Sequence, residues 1–173
     1  MPIPESVIKK YKNDYFIETG SARGETISKA LGAGFKEIFS VELVKRRYER
    51  CKKKFSKKSN VNLFCGESPQ FIKDVIKDID TTITFWLDAH GNSVDTHNPL
   101  LEELSEISKH NINTHTILID DMRLMGKGIY PSKDKIIECL KNINNDYVIF
   151  YEDNYDVKHD IYRKDEIMVA KIL

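Results

Sequence analysis

No stretch of this 173-residue chain approaches the roughly 18 consecutive apolar residues of a membrane-spanning helix. The first residues, MPIPESVIKK, lack the apolar centre of a secretory signal. Cysteine is scarce. Cys51, Cys65 and Cys139 are far apart and odd in number, which matches neither a zinc spacing nor a disulfide framework. These absences point to a reduced, cytoplasmic setting. Neither sign of charge is in excess, since Lys+Arg and Asp+Glu both number 27. No global field therefore draws the chain to nucleic acid or to a membrane. The eight glycines and five prolines are scattered, and they leave no linker, repeat or low-complexity segment. What remains is a chain with 40% hydrophobic and 31% charged residues, suited to one domain spanning 1–173 with one well-buried core.

Apolar runs and helical patterns alternate along that chain. Strands are expected at Tyr15–Thr19, Glu37–Glu42, Val61–Cys65, Ile83–Asp88, Thr116–Asp120, Tyr147–Tyr151 and Glu166–Ile172. Five helical stretches separate the first six. The first buries Ile27, Ala30 and Leu31, and Gly32 and Gly34 help to stop it. The second presents Val44, Tyr48, Cys51 and Phe55 at spacings of 4, 3 and 4. The third opens with Ser68 as N-cap and Pro69 at the first helical position, and buries Ile72, Val75, Ile76 and Ile79. The fourth opens at Asn98-Pro99 and buries Leu101, Leu104 and Ile107. The fifth follows Pro131-Ser132 and buries Ile136, Ile137, Leu140 and Ile143. Only a loop, Glu152 to Asp165, parts the last two strands, so the final strand must run antiparallel to its neighbour. The expected fold is α/β: a doubly wound, Rossmann-like, seven-stranded sheet, mostly parallel, with helices on both faces.

The strand ends carry the chemistry. Tyr15–Gly24 reads YFIETGSARG, an apolar strand running into a glycine turn that opens a helix. Such a turn offers backbone N–H groups to a polar or anionic ligand end. Its spacing is G-x-x-x-G, which argues against a dinucleotide loop. The next strand ends in Glu42, where an acid meets the two hydroxyls of a ribose. Glu67 and Ser68 close the third strand, placed to meet an adenine edge. FWLDAHGN ends the fourth strand and ILIDDMR the fifth, which brings Asp88, Asp120 and Asp121 toward one crevice. Three carboxylates there repel one another unless a proton or cation intervenes, and an all-oxygen set suits Mg²⁺, Mn²⁺ or Ca²⁺. Alternatively, each aspartate caps a loop or orients the cofactor. His90 is the candidate general base. The segment Lys45–Lys58 holds nine Lys or Arg and reads first as a solvated helix face, with a polyanion-binding patch as its rival.

Taken together, these motifs resemble the class I S-adenosylmethionine-dependent methyltransferases from Tyr15 to Leu173. Within that class, FWLDAHGN, PLLEEL and ILIDDMR resemble small metal-dependent O-methyltransferases of the macrocin and catechol types. The resemblance implies that Glu18, Gly20, Ser21 and Gly24 surround the methionine end of the cofactor. It implies that Glu42 binds the ribose, that Glu67 and Ser68 flank the adenine, and that Asp88 faces the cofactor amine. It also implies that Asp88, Asp120 and Asp121 hold Mg²⁺, with Asp88, His90 and Asp120 as the catalytic group and a hydroxylated small molecule or sugar as acceptor. Only about fourteen residues precede the first strand and no lid-sized insert is evident, so a large acceptor or a neighbouring subunit of a homo-oligomer is expected to complete the pocket. Two other functions compete: an RNA or protein methyltransferase using the basic helix at 45–58, and a non-catalytic cofactor-binding module.

Overall fold

The computed structural model describes residues 2–89, 97–157 and 159–173. The elements run α1 (Glu5–Lys10), β1 (Tyr15–Thr19), α2 (Glu25–Ala33), β2 (Glu37–Glu42), α3 (Lys45–Lys54), β3 (Val61–Cys65), α4 (Ser68–Ile76), β4 (Ile83–Leu87), α5 (Leu100–Ile107), β5 (Thr116–Ile119), α6 (Lys133–Ile143), β6 (Val148–Asp156) and β7 (Ile161–Lys171). The strands form one sheet in the order β3-β2-β1-β4-β5-β7-β6. The β1–β2, β1–β4, β2–β3 and β4–β5 pairs are parallel, while β7 is antiparallel to both β5 and β6. This is the doubly wound sheet with a reversed last strand that the alternation implies. The chain order reverses between β1 and β4, and the carboxyl ends of those strands bound a crevice.

Strand periodicity decides which helix covers which face. Ile17, Phe85, Leu87, Ile117 and Ile119 face a core built with α4, α5 and α6. Their neighbours Phe16, Trp86 and Leu118 face a second core built with α1, α2 and α3. Central strands buried on both sides must read as continuous apolar runs, which is why ITFWL and TILI do. No helix among the described residues is long and apolar enough to cross a membrane.

Four expectations change. Six helices are described rather than five, because α1 precedes the first strand. Its signals are local: Pro4 before it, Glu5 in the first turn, Lys9 and Lys10 in the last, and Val7 and Ile8 buried. Ser68 is the first residue of α4 and not its cap, since Glu67 takes the cap position and no side chain caps the helix. The Ser68 side chain is turned inward and buried. Val44 precedes α3 and is exposed, so only Tyr48, Cys51 and Phe55 of the expected face turn inward. The loop expected at 152–165 is mostly strand. β6 and β7 pair on past Glu152, with a register shift between Glu152 and Asn154, as far as Asp156 opposite Ile161. Strand there is hidden by polar residues that bond one another: Tyr155 Oη donates to Asp160 at 2.8 Å, Tyr162 Oη to Asp153 at 2.5 Å, and Asp165 N to Asp153 at 2.8 Å.

Beneath β4 the buried His115 and the half-buried His110 form a chain with one self-consistent proton arrangement. Ile83 N–H donates to His115 Nδ1 at 3.1 Å, so the proton of His115 sits on Nε2. That Nε2–H donates to His110 Nδ1 at 2.9 Å, and His110 Nε2–H donates to the Ile79 carbonyl at 2.8 Å. Burial, followed by His110, pushes the His115 imidazole down to about 4 from an ordinary 6.5. A histidine depressed in the fold stabilises it above pH 6.5 and loses that contribution as pH falls through 4. The loss is on the order of 3 kcal/mol. Urea unfolding from pH 7 to pH 4 should show it, and His115→Gln should flatten that acid limb.

Candidate functional site

The β1–α2 turn is built around two glycines that no other residue replaces without strain. Gly20 sits at φ +87°, and a Cβ there would lie 2.5 Å from the Asp88 carbonyl oxygen. Gly24 sits at φ +67°, and its Cβ would lie 2.6 Å from the Phe55 ring. Ala22 also has positive φ, at 45°. A non-glycine residue held there stores strain of the kind found at ligand sites. Gly20 N and Ser21 N both donate to the Val41 carbonyl, at 2.9 and 3.0 Å, which ties the turn to the end of β2.

Glu42 ends β2 and is buried. Its two carboxylate oxygens accept from Ala22 N at 2.8 Å and Val44 N at 2.9 Å, and Arg47 approaches to 3.9 Å. The acid is thereby locked against the glycine turn, and lone pairs remain on both oxygens. Below it runs a buried chain: Ser21 Oγ lies 2.6 Å from Ser40 Oγ, which donates to Glu18 at 2.6 Å. Burial lifts the Glu18 carboxyl to about 7.

Asp88 and Asp120 each stand one residue beyond their strands rather than inside them. The ladder continues to them all the same. Asp88 N donates to the carbonyl and hydroxyl of Thr19, both at 3.2 Å, and Asp120 N donates to the Leu87 carbonyl at 3.3 Å. Asp121 follows at φ +61°. One ligand atom from each of Asp88, Asp120 and Asp121 falls within 4.8 Å of the others. Burial and the facing Asp120 hold Asp88 well above the ordinary carboxylate range, and burial raises Asp120 too. Arg123 pairs with Asp121 and with Glu166, and Arg163 lies 3.1 Å from Glu166 and 3.9 Å from Asp121. Four carboxylates against two guanidiniums leave two negative charges when all are ionised. Hard oxygen donors carrying that balance fit one divalent cation, which would share Asp121 with Arg123.

The expected residues thus divide clearly. Glu18, Gly20, Ser21, Gly24 and Glu42 form one cradle, and Asp88, Asp120 and Asp121 one cluster beside it, joined where Gly20 packs on Asp88. Glu67 is exposed and lines an open groove of about 420 Å³ with Pro69, Gln70, Lys73, His97, Glu102 and Glu106. Ser68 is buried beneath the turn that carries Glu67. His90 lies outside the described residues.

Residues not picked out from the sequence complete the site: Ser40, Arg123, Glu166 and above all Glu103. Glu103 is fully buried on α5 with both carboxyl oxygens lacking a hydrogen bond of normal geometry. Burial lifts it to about 7, against the pull of the nearby Ser68 and Thr19 hydroxyls. The signal was its spacing, because Glu103 shares the helical face of Leu100, Leu104 and Ile107. An acid raised in the fold favours the native state below its unfolded value near 4.5 and loses that contribution as pH rises through 7. Stability should therefore fall by roughly 3 kcal/mol between pH 5 and pH 8 on account of Glu103. Glu103→Gln, which keeps the shape without the charge, should reduce that slope in urea titrations at the two pH values. An unchanged slope would show that Glu103 ionises in the fold as it does in the unfolded chain.

No family model matches the sequence, and no curated protein matches it. Solved structures do. An O-methyltransferase from Bacillus cereus in complex with S-adenosylhomocysteine superimposes with a TM-score of 0.67 at 9% identity, over 98% of this chain and 78% of that one. The tomaymycin-synthesis O-methyltransferase TomG of Streptomyces achromogenes, in complex with S-adenosylmethionine, gives 0.64 at 11% identity, over 97% and 77%. A precorrin-8w decarboxylase from Methanobacterium thermoautotrophicum gives 0.67 at 14% identity, over 99% and 94%. The chain has the fold of the class I S-adenosylmethionine-dependent methyltransferases.

Proposed function

We propose that the protein is an S-adenosylmethionine-dependent methyltransferase that O-methylates a hydroxylated small molecule, such as a sugar, with the help of a divalent cation. One observation carries this: the glycine turn with Glu42 and the Asp88–Asp120–Asp121 cluster share a wall, the Gly20–Asp88 backbone contact. A nucleoside-bearing donor seated in the first would end beside the second. Both O-methyltransferase neighbours were solved with the donor or its product, which supports binding of such a donor by this fold.

Each residue then has a task. Glu42, held by two backbone N–H groups, presents its free lone pairs to the ribose hydroxyls. Gly20, Ser21 and Gly24 let the backbone approach the methionine end, with Glu18 beneath them. Glu67 and Ser68 bound the adenine. Methyl transfer is an in-line displacement at a cationic sulfonium, so the protein mainly aligns the acceptor oxygen and excludes water. Asp88, Asp120 and Asp121 would hold the cation, which supplies polarisation of the acceptor hydroxyl. His90 is assigned as the group that takes the hydroxyl proton.

Calorimetry with S-adenosylhomocysteine, with and without Mg²⁺, tests this. The product should bind, and Mg²⁺ should change its affinity several-fold. Absence of binding removes the methyltransferase assignment. Binding indifferent to Mg²⁺ leaves a methyltransferase without the cation.

A further inference from the structure

The neutral chain hides a strong separation of charge. Between Lys45 and Lys58 nine cations face one acid, Glu49, a net +8, so the remainder of the molecule carries −8. The cations are turned outward. Cys51 and Phe55 are buried against the sheet, whereas Lys45, Arg46, Arg50, Lys52, Lys53, Lys54, Lys57 and Lys58 are exposed. Arg46, Arg50 and Lys53 follow spacings of four and three, which aligns them along one outer face of α3, continued by Lys57.

Carboxylate partners are sparse along this face. The described ion pairs place Arg47 near Glu42, and no described carboxylate lies within 4 Å of Arg46, Arg50, Lys53 or Lys57. Like charges at such spacing repel and cost helix stability. The burden is greatest at the start of α3, where there is no acid in the first turn. The patch also abuts the proposed cofactor turn. Lys54 Nζ donates to the Arg23 and Gly24 carbonyls at 3.2 and 3.0 Å, Cys51 Sγ lies 3.8 Å from the Ala22 carbonyl, and Arg23 itself is exposed. A polyanion on this face would therefore lie beside the mouth of the cradle.

We propose that the outer face of α3, with Arg23, docks the phosphate backbone of RNA. Charge complementarity supports it: a segment of net +8 gains counterion release on a phosphate chain. A membrane surface fits less well. The apolar residues of α3 are spent on the core, and the exposed Leu43 and Val44 beside it fall short of the apolar face an interfacial helix needs. This goes beyond the proposed O-methylation and stands independently of it.

The test uses the full chain and a fluorescein-labelled 20-nucleotide single-stranded RNA, followed by anisotropy from 50 to 200 mM salt. About four phosphate contacts predict a slope near −3 in log K against log salt, or a loss of about 60-fold across that range. The variant carrying Arg46→Glu, Arg50→Glu, Lys53→Glu and Lys57→Glu should lose at least tenfold in RNA affinity, while its S-adenosylhomocysteine affinity stays that of the parent. The fourfold Gln variant should fall between the two, and circular dichroism of each reports that α3 remains folded. No RNA binding at 50 mM salt, equal binding by parent and Glu variant, or capture by phosphatidylserine vesicles without RNA binding would each overturn the proposal. S-adenosylhomocysteine binding in the same samples separates this outcome from failure of the methyltransferase assignment.

Discussion

Asp120→Asn is expected to make the cation-free protein more stable and to abolish its response to divalent cations. Asp120 is fully buried and faces Asp88 and Asp121 within 4.8 Å. Burial raises both Asp88 and Asp120, and repulsion between neighbouring carboxylates adds to it. The fold therefore bears a cost here that an amide of the same shape relieves. A gain of about 1–3 kcal/mol at pH 8 is expected, or roughly 3–9 °C in Tm for a chain of this length. The parent protein should instead gain about 2.7 kcal/mol from Mn²⁺ at a hundredfold excess over Kd. Thermal melts of both proteins with and without Mn²⁺ make the comparison. A destabilised Asp120→Asn protein would mean that hydrogen bonds to this carboxylate outweigh the repulsion, and the cluster would then be a structural network.

That cluster shows how legibility varied along the chain. Strand ends were readable because β4 and β5 are buried on both faces, so their apolar runs stop abruptly at Leu87 and Ile119 before acids, while β1 stops where Thr19 gives way to Gly20. The cradle was readable for the same reason: Glu42 ends an apolar strand, and Gly20 and Gly24 mark positive φ. Partners contributed by distant segments were not readable. Arg123 meets Glu166 across 43 residues, and nothing local in either segment announces the pair. Ser40 lies inside an apolar strand and becomes meaningful only when β1 is set beside β2, which brings Glu18 opposite it. The β6–β7 hairpin escaped because its pairing past Glu152 depends on cross-strand polar bonds rather than on apolar alternation. The helix α1 escaped because six residues are too short for periodicity to register.

Two glycine-to-alanine substitutions in neighbouring segments should have opposite effects, and the contrast isolates what the turn requires. Gly32 lies inside α2 with nothing within 4 Å of a Cβ placed there. Alanine at 32 lowers the entropy of the unfolded chain and suits the helix, so Gly32→Ala should stabilise by about 0.5–1 kcal/mol. Gly20→Ala meets two obstacles together. Its φ of +87° strains any side chain, and the new Cβ would press on the Asp88 carbonyl oxygen at 2.5 Å and the Ala89 Cα at 3.2 Å. Neither obstacle is a flexible side chain, so the turn and the end of β4 must part. The expected loss is about 3 kcal/mol or more in urea unfolding. More telling is where the displacement falls. Asp88 N is bonded to Thr19, so pushing Asp88 away disturbs the cradle and the carboxylate cluster in one move. S-adenosylhomocysteine affinity and the Mn²⁺ melting shift should therefore both collapse in Gly20→Ala, with affinity falling about 100-fold, while Gly32→Ala leaves both intact. If Gly20→Ala lost stability but bound S-adenosylhomocysteine as the parent does, the glycine turn would be a structural joint and the donor pocket would have to lie elsewhere in the crevice.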